Sequence, residues 1–436
     1  MFSLSHFKKS EAIKSGIIAF LFKCLGLVAA FGFNYIIAKH YGAAITGNYF
    51  LASNVIIVGY TISTYGYQNT VLKVVSANFI LKNFRVVAKA INSSLITSFI
   101  LSIIVIVLLF ALGNVFENYL FHTPGLALRI KILAASVTFT TVALIGSEYL
   151  RGIDRLKRSF FVRDFATPII SFVTLFAFIA FHSFNELNIY YATLVGCGVV
   201  CILTLFFIYQ SLADFKKLPT NNADFKFSET NGMSWNFFVI SMMGTVARWN
   251  DLFFIGIFCG AADVGIYGIA KRSAYLISFF AYAVNNVVAP KFAQYKANHE
   301  MDKLKRLYKK SIIFLSIIVV PPLIVLIVFN KSILHLFGNE FVNGSTVFIL
   351  MILGQLFNVV TGPCNSLLSM VGYDKLLRNA TLIFTISAVV GTFFAVKYYG
   401  IVGAAVVNFL FMTISNLYNF AVIVRNIYIK NEYKYE

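Results

Sequence analysis

Twelve runs of about twenty mostly apolar residues follow one another along the 436-residue chain. They lie near 15–38, 47–70, 90–112, 128–149, 160–181, 189–211, 233–258, 264–289, 310–329, 345–370, 379–397 and 401–424. A run of this length matches the ~30 Å hydrocarbon thickness of a bilayer, and inside lipid every backbone polar group must pair within its own segment. The pattern predicts an all-α polytopic membrane protein with twelve transmembrane helices. Composition agrees, since 12% of residues are charged against about 25% in soluble domains. The first run carries Lys23 in its middle and no A-x-A-like cleavage site, so it reads as a retained span rather than a signal peptide. The five cysteines fall in spans or, for Cys259, one residue past a span end and read as packing residues; Cys197 and Cys201, one turn apart, have no second pair with which to hold a metal.

The formal charge is +19. On a soluble protein that excess would suggest nucleic acid; here its location makes it a topology signal, and no nucleic-acid partner is expected. Of the 36 Lys and Arg residues, 26 lie at the ends and in alternate loops, among them Lys8, Lys9, Lys14, Lys216, Lys217, Lys226, Lys430 and Lys434. The opposite side has five, namely Lys39, Arg129, Lys131, Lys331 and Lys397. Basic loops stay cytoplasmic, so both termini are expected to be cytoplasmic, and anionic membrane lipids would attract that face.

Residues 42–49 read GAAITGNY and residues 260–267 read GAADVGIY. A second motif, G-x-D-[RK]-L-x-R, occurs at 152–158 and again at 372–378. The first motif falls in external turns and the second in internal ones. Six spans per copy bring both halves into the membrane in the same direction, a parallel pseudo-two-fold repeat. The expected organisation is two six-helix bundles, an N-terminal lobe at 1–218 and a C-terminal lobe at 219–436. Small residues suit a close turn, and the motif tyrosines are expected at the interface with wet hydroxyls. Pro321-Pro322, Gly362-Pro363 and Pro168 are expected to bend or break spans nine, ten and five.

Charge inside a span costs about 2.5–3.5 kcal/mol at mid-bilayer on insertion scales. Once those at span ends are counted with the loops, five basic residues are left within spans, Lys23, Arg163, Arg248, Lys271 and Arg272, with Asp164 and Asp251 as acidic counterparts and Glu148 near an inner end. Each has a plain reading: Arg163 can snorkel or pair with Asp164, and Arg248 can pair with Asp251 three residues on. The first half has Ala30, Phe33, Ser53 and Asn54 at the positions equivalent to Arg248, Asp251, Lys271 and Arg272. The charges were therefore added to one copy of a shared scaffold, as expected of a site grafted on a fold. The basic excess predicts an anionic cargo. The six histidines sit at span ends or in loops, so coupling to a proton or sodium gradient would fall to Asp251 or Asp164.

Residues 248–271, RWNDLFFIGIFCGAADVGIYGIAK, carry a D-x-x-x-I-G…V-G-I-Y-x-x-A pattern, followed by AVNNVVAP at 283–290 and YGIVGAA at 399–405. With these motifs the whole chain resembles the Wzx-type polysaccharide (O-antigen) flippases of the multidrug/oligosaccharidyl-lipid/polysaccharide (MOP) exporter superfamily. The resemblance implies two six-helix lobes around a V-shaped cavity in the bacterial inner membrane. It implies movement of undecaprenyl-diphosphate-linked oligosaccharides from the inner to the outer leaflet by alternating access, without a cofactor and without enzymatic chemistry. Lys23, Arg163, Arg248, Lys271 and Arg272 would meet the diphosphate and sugars. A polymerase and chain-length regulator of the same lipopolysaccharide-type pathway would be partners.

Two rivals share the superfamily: a MATE-type cation antiporter, which the basic excess disfavours, and a lipid II-type flippase, which typically has two further spans. A rival of another class is a membrane polysaccharide polymerase or sugar transferase. The loops offer no clustered external arginines, no D-x-D and no Gly-rich phosphate loop for such chemistry.

Overall fold

The computed structural model describes residues 3–181, 184–215 and 230–429, with side chains from residue 18 onward except at Asn286 and Asp374. The side chains of His6, Lys8, Lys9 and Lys14, all of His182, Lys216, Lys217, Lys226, Lys430 and Lys434, and the expected lobe boundary at 218/219 lie outside the described residues.

Described secondary structure is helical throughout. In chain order the helices are α1 (Ser3–Thr64), α2 (Tyr67–Ile80), α3 (Phe84–Val115), α4 (Leu126–Gly152), α5 (Leu156–Phe160), α6 (Thr167–Ala180), α7 (Asn188–Phe215) and α8 (Asn231–Phe258). They continue with α9 (Ala261–Tyr275), α10 (Ser278–Ala297), α11 (Met301–Val328), α12 (Asn330–Phe337), α13 (Ser345–Thr361), α14 (Cys364–Val371) and α15 (Asp374–Ile423). A π-helical turn, Phe161–Ala166, joins α5 to α6.

Among the described residues, eight segments are long and apolar enough to cross a membrane, or nine if bent α9 and α10 form one crossing. The difference from the twelve expected stretches has physical causes. Ile18–Thr64 is 47 residues long and Lys375–Ile429 is 55, far beyond the ~20 of a single crossing. Each is broken at a glycine, Gly42 and Gly400. The 28-residue α8 is long enough but is interrupted by Asn236, Arg248, Asn250 and Asp251 and is not among the eight. The second expected stretch also ends earlier, because Tyr65 and Gly66 take positive φ and restart the chain as α2.

The chain forms two compact units. The first comprises Met1–Tyr41 and Asn48–Trp249; the second comprises Gly42–Gly47 and Asn250–Glu436. In the first, Val75, Ile91, Tyr149, Ile153 and Ile208 gather α2, α3, α4 and α7 around one apolar core. In the second, Phe292, Leu304, Leu368, Tyr373 and Ile423 do the same for α10, α11, α14 and the end of α15. The internal G-x-D motif now has a packing role. Its middle residue, Ile153 in one copy and Tyr373 in the other, is buried in its unit's core.

The external motif explains itself at the backbone. Gly42 (φ 77°, ψ −179°) and Gly260 (φ 100°, ψ 177°) share one conformation, a region open essentially to glycine alone. Five residues on, in the second unit, the two copies meet reciprocally. A side chain at Gly47 would run into the Ala261 carbonyl, and one at Gly265 would run into the Ala43 carbonyl. Each copy is thus the other's packing partner, and small residues are what allow the backbones to close. Glu340 accepts a hydrogen bond from the Ala43 amide at 2.9 Å, capping the helix that restarts after Gly42.

The motif tyrosines depart from expectation. Tyr49 and Tyr267 are both buried, and their hydroxyls have protein partners: Thr193 donates to Tyr49, and Tyr267 donates to Asp251. The prolines differ among themselves. Gly362-Pro363 does separate α13 from α14. Pro168 follows the π-helical turn, where it cannot donate to the Asp164 carbonyl four residues back. Pro321 and Pro322 lie inside an uninterrupted α11; their fixed φ is already helical, and membrane helices tolerate the lost donors.

Candidate functional site

The α8–α9 hairpin turns at Gly260. Asp251 precedes that turn by nine residues and Lys271 follows it by eleven. At 1.5 Å per residue both lie roughly 15 Å from the turn, half of a ~30 Å hydrocarbon core. Equal depth on antiparallel helices lets them meet. Lys271 Nζ donates to Asp251 Oδ2 at 2.5 Å, and the side chains are 13% and 5% exposed. Tyr267 Oη donates to the same oxygen at 2.7 Å, while the other carboxylate oxygen accepts the Leu252 amide at 2.8 Å. The Lys271 ammonium also lies 6.0 Å from the ring centroids of Tyr267 and Tyr275, within cation–π range.

This cluster continues as a polar seam inside the second unit. Tyr275 donates to Asn408 at 3.1 Å. Ser278 donates to Gln355 at 3.1 Å. Such groups are costly in lipid unless paired or functional. The ion pair itself is neutral, so an anion arriving at this locus would compete with the Asp251 carboxylate for the Lys271 ammonium.

A second gathering lies in the first unit. Pro168 frees the Asp164 carbonyl, and a side chain at Gly26 would strike that oxygen, so α1 crosses the π-helical turn at close range. Phe22 packs there against Phe161 and Phe165, with ring centroids 5.8 and 5.1 Å away. Lys23 sits beside Phe22 on the same turn of α1, half-buried. Arg163 does not pair with Asp164. It donates to Glu148 of α4, whose other oxygen accepts from Arg151 at 3.4 Å.

The structure therefore brings Asp251 and Lys271 together, with Arg272 next along α9. It brings the elements bearing Lys23, Arg163 and Asp164 together in the first unit. Arg248 lies on the α8 segment that belongs to the first unit, exposed beside Gly244. Sequence reasoning offered Arg248 as the partner of Asp251, because it weighed neighbours on one helix. Equal distance from Gly260 was the signal that points to Lys271. Sequence reasoning also missed Arg129, counted as a loop cation. It is buried, bonds Glu186 at 2.9 Å and donates to the Pro124 carbonyl at 3.1 Å.

The sequence profile of the polysaccharide biosynthesis protein family matches residues 71–346, more than half of the chain. The chain belongs to the polysaccharide biosynthesis protein family. A curated relative is the probable low-salt glycan biosynthesis flippase Agl15 of Haloferax volcanii, 27% identical over 180 residues, 41% of this chain and 38% of that protein. The chain thus spans about two fifths of that relative's length. Among solved structures, the lipid II flippase MurJ in an inward closed conformation superposes with a TM-score of 0.71 at 16% identity, covering 94% of this chain and 87% of the other. An inward-facing MATE-family multidrug resistance transporter of the MOP superfamily gives 0.69 at 14% identity, covering 93% and 97%. This polysaccharide biosynthesis protein accordingly has the MOP-transporter fold, and its expected likeness to the superfamily's polysaccharide flippases is borne out. It is a membrane protein whose relatives are flippases and transporters rather than enzymes.

Proposed function

We propose that this chain moves undecaprenyl-diphosphate-linked oligosaccharides, the repeat units of an O-antigen or related surface polysaccharide, from the inner to the outer leaflet by alternating access. The observation that supports the reading is a buried lysine–aspartate pair, each member roughly 15 Å along its helix from the Gly260 turn, in a polysaccharide biosynthesis protein. Transporter sites lie near the bilayer midplane, and a diphosphate needs a cation there. Lys271 is the first residue assigned to it, with Arg272 beside it on α9; Lys23, Arg163 and Arg248, all in the first unit, are further candidate cations for the cargo. Asp251 carries the coupling ion. Its protonation releases Lys271 for the diphosphate, and departure of the cargo restores the pair. Asp164 is a second candidate for coupling. The protein resides in the bacterial inner membrane with both termini in the cytoplasm, and a polymerase and chain-length regulator act beside it.

A deletion strain tests this directly. Lipid-linked repeat units are expected to accumulate on the cytoplasmic face, with surface polysaccharide lost. Units that accumulate on the outer face, exposed but unlinked, would indicate a polymerase instead.

A further inference from the structure

We infer that Arg151 and Arg163 form a phosphate clamp that receives a lipid-linked diphosphate at headgroup level, before it reaches the mid-membrane pair. The inference rests on the transport reading above and adds an entry station to it.

The clamp is built from one buried acid and two half-exposed bases. Glu148 lies four residues before the end of α4, about 6 Å along the helix axis. The 27 residues of α4 span about 40 Å, the bilayer thickness with its headgroup regions. Glu148 therefore sits where lipid phosphates lie, at the end of α4 whose loops carry the basic excess. Its side chain is 10% exposed. One carboxylate oxygen holds Arg163, placed by the π-helical turn, and the other holds Arg151. The side chains of Arg163 and Arg151 stay 41% and 44% exposed, and among the described residues neither makes another hydrogen bond.

Two guanidiniums on one carboxylate leave one net positive charge and several N–H donors not spent on Glu148. Arg forks match phosphate oxygens bidentately. The other arginines of the same turn are otherwise engaged: Arg155 bonds Asp214 at 2.7 Å, and Arg158 bonds Gln210 at 2.8 Å. The π-helical turn that aims Arg163 also meets α1 one residue turn from Lys23. A diphosphate seated on the clamp would have a further cation-bearing helix beside it.

The test measures lipid binding to the full-length protein in detergent, with undecaprenyl diphosphate, phosphatidylglycerol and inorganic diphosphate as probes. Undecaprenyl diphosphate is expected to bind tightest. Arg151→Gln/Arg163→Gln should weaken it about tenfold or more, with phosphatidylglycerol binding unchanged. Arg151→Lys/Arg163→Lys keeps Glu148 paired but removes the forks, and should weaken the same probe if the Gln variant folds poorly. The effect should persist in a Lys271→Met/Asp251→Leu background, so a failed mid-membrane site and a failed clamp give different results. Wild-type affinity in both arginine variants would overturn the clamp. So would phosphatidylglycerol binding as tightly as undecaprenyl diphosphate and falling equally, which would mark a general headgroup site.

Discussion

Asp251 and Lys271 set the behaviour of the second unit at the scale of single residues. Removing one member of a buried pair leaves an uncompensated charge and costs about 3–5 kcal/mol, whereas replacing both with apolar groups is often neutral. Lys271→Met is therefore expected to lower the unfolding temperature in detergent. Lys271→Met/Asp251→Leu should regain most of that loss yet fail to restore surface polysaccharide. Equal stability of single and double variants would show that the pair is not coupled. Tyr267→Phe removes one of two donors on Asp251 Oδ2 and should cost about 1 kcal/mol, read in the same unfolding assay. The sequence made these charges visible because charge is rare in apolar runs. It did not make the pairing visible, because the partner lies twenty residues away and reaches it only through the hairpin.

At the scale of elements, the external motif is a helix crossing rather than a mere turn. Gly47 and Gly265 each face the other copy's carbonyl, so a branched side chain at either should force the backbones apart. Gly47→Val and Gly265→Val are expected to reduce export to a similar degree. Gly232→Ala, at a position with nothing within 4 Å, should leave it unchanged. A strong effect at only one motif glycine would argue against the reciprocal crossing. The repeat was legible because residue identity was kept in both copies. Its purpose was not, because a motif read along the chain says nothing of what packs across from it. Proline had the same limit. Gly362-Pro363 separates two helices while Pro321-Pro322 does not, since the outcome depends on whether the flanking backbone stays helical.

At the scale of the whole molecule, long apolar runs announced a helical membrane protein, and the family match and fold agree with that reading. The structure has fewer long apolar segments than the sequence has apolar stretches, because Gly42 and Gly400 each join two helices into one segment and charges dilute α8. The proposed orientation places the turns at Gly42 and Gly260 outside and those at Gly152 and Gly372 inside. Single cysteines in a cysteine-free background should label from outside near residues 42 and 260 and resist labelling near 154 and 374; the reverse pattern would invert the topology. The central claim is that this chain carries an anionic lipid-linked glycan across the membrane through a charged mid-membrane site. The most direct measurement is reconstitution into vesicles loaded with undecaprenyl-diphosphate-linked oligosaccharide, followed by the rate at which the glycan appears in the opposite leaflet. The account predicts rapid appearance with the wild-type protein, and slow appearance with correctly inserted Lys271→Met/Asp251→Leu and Arg248→Ala variants. No movement by the wild type, or equal rates in all three proteins, would contradict it.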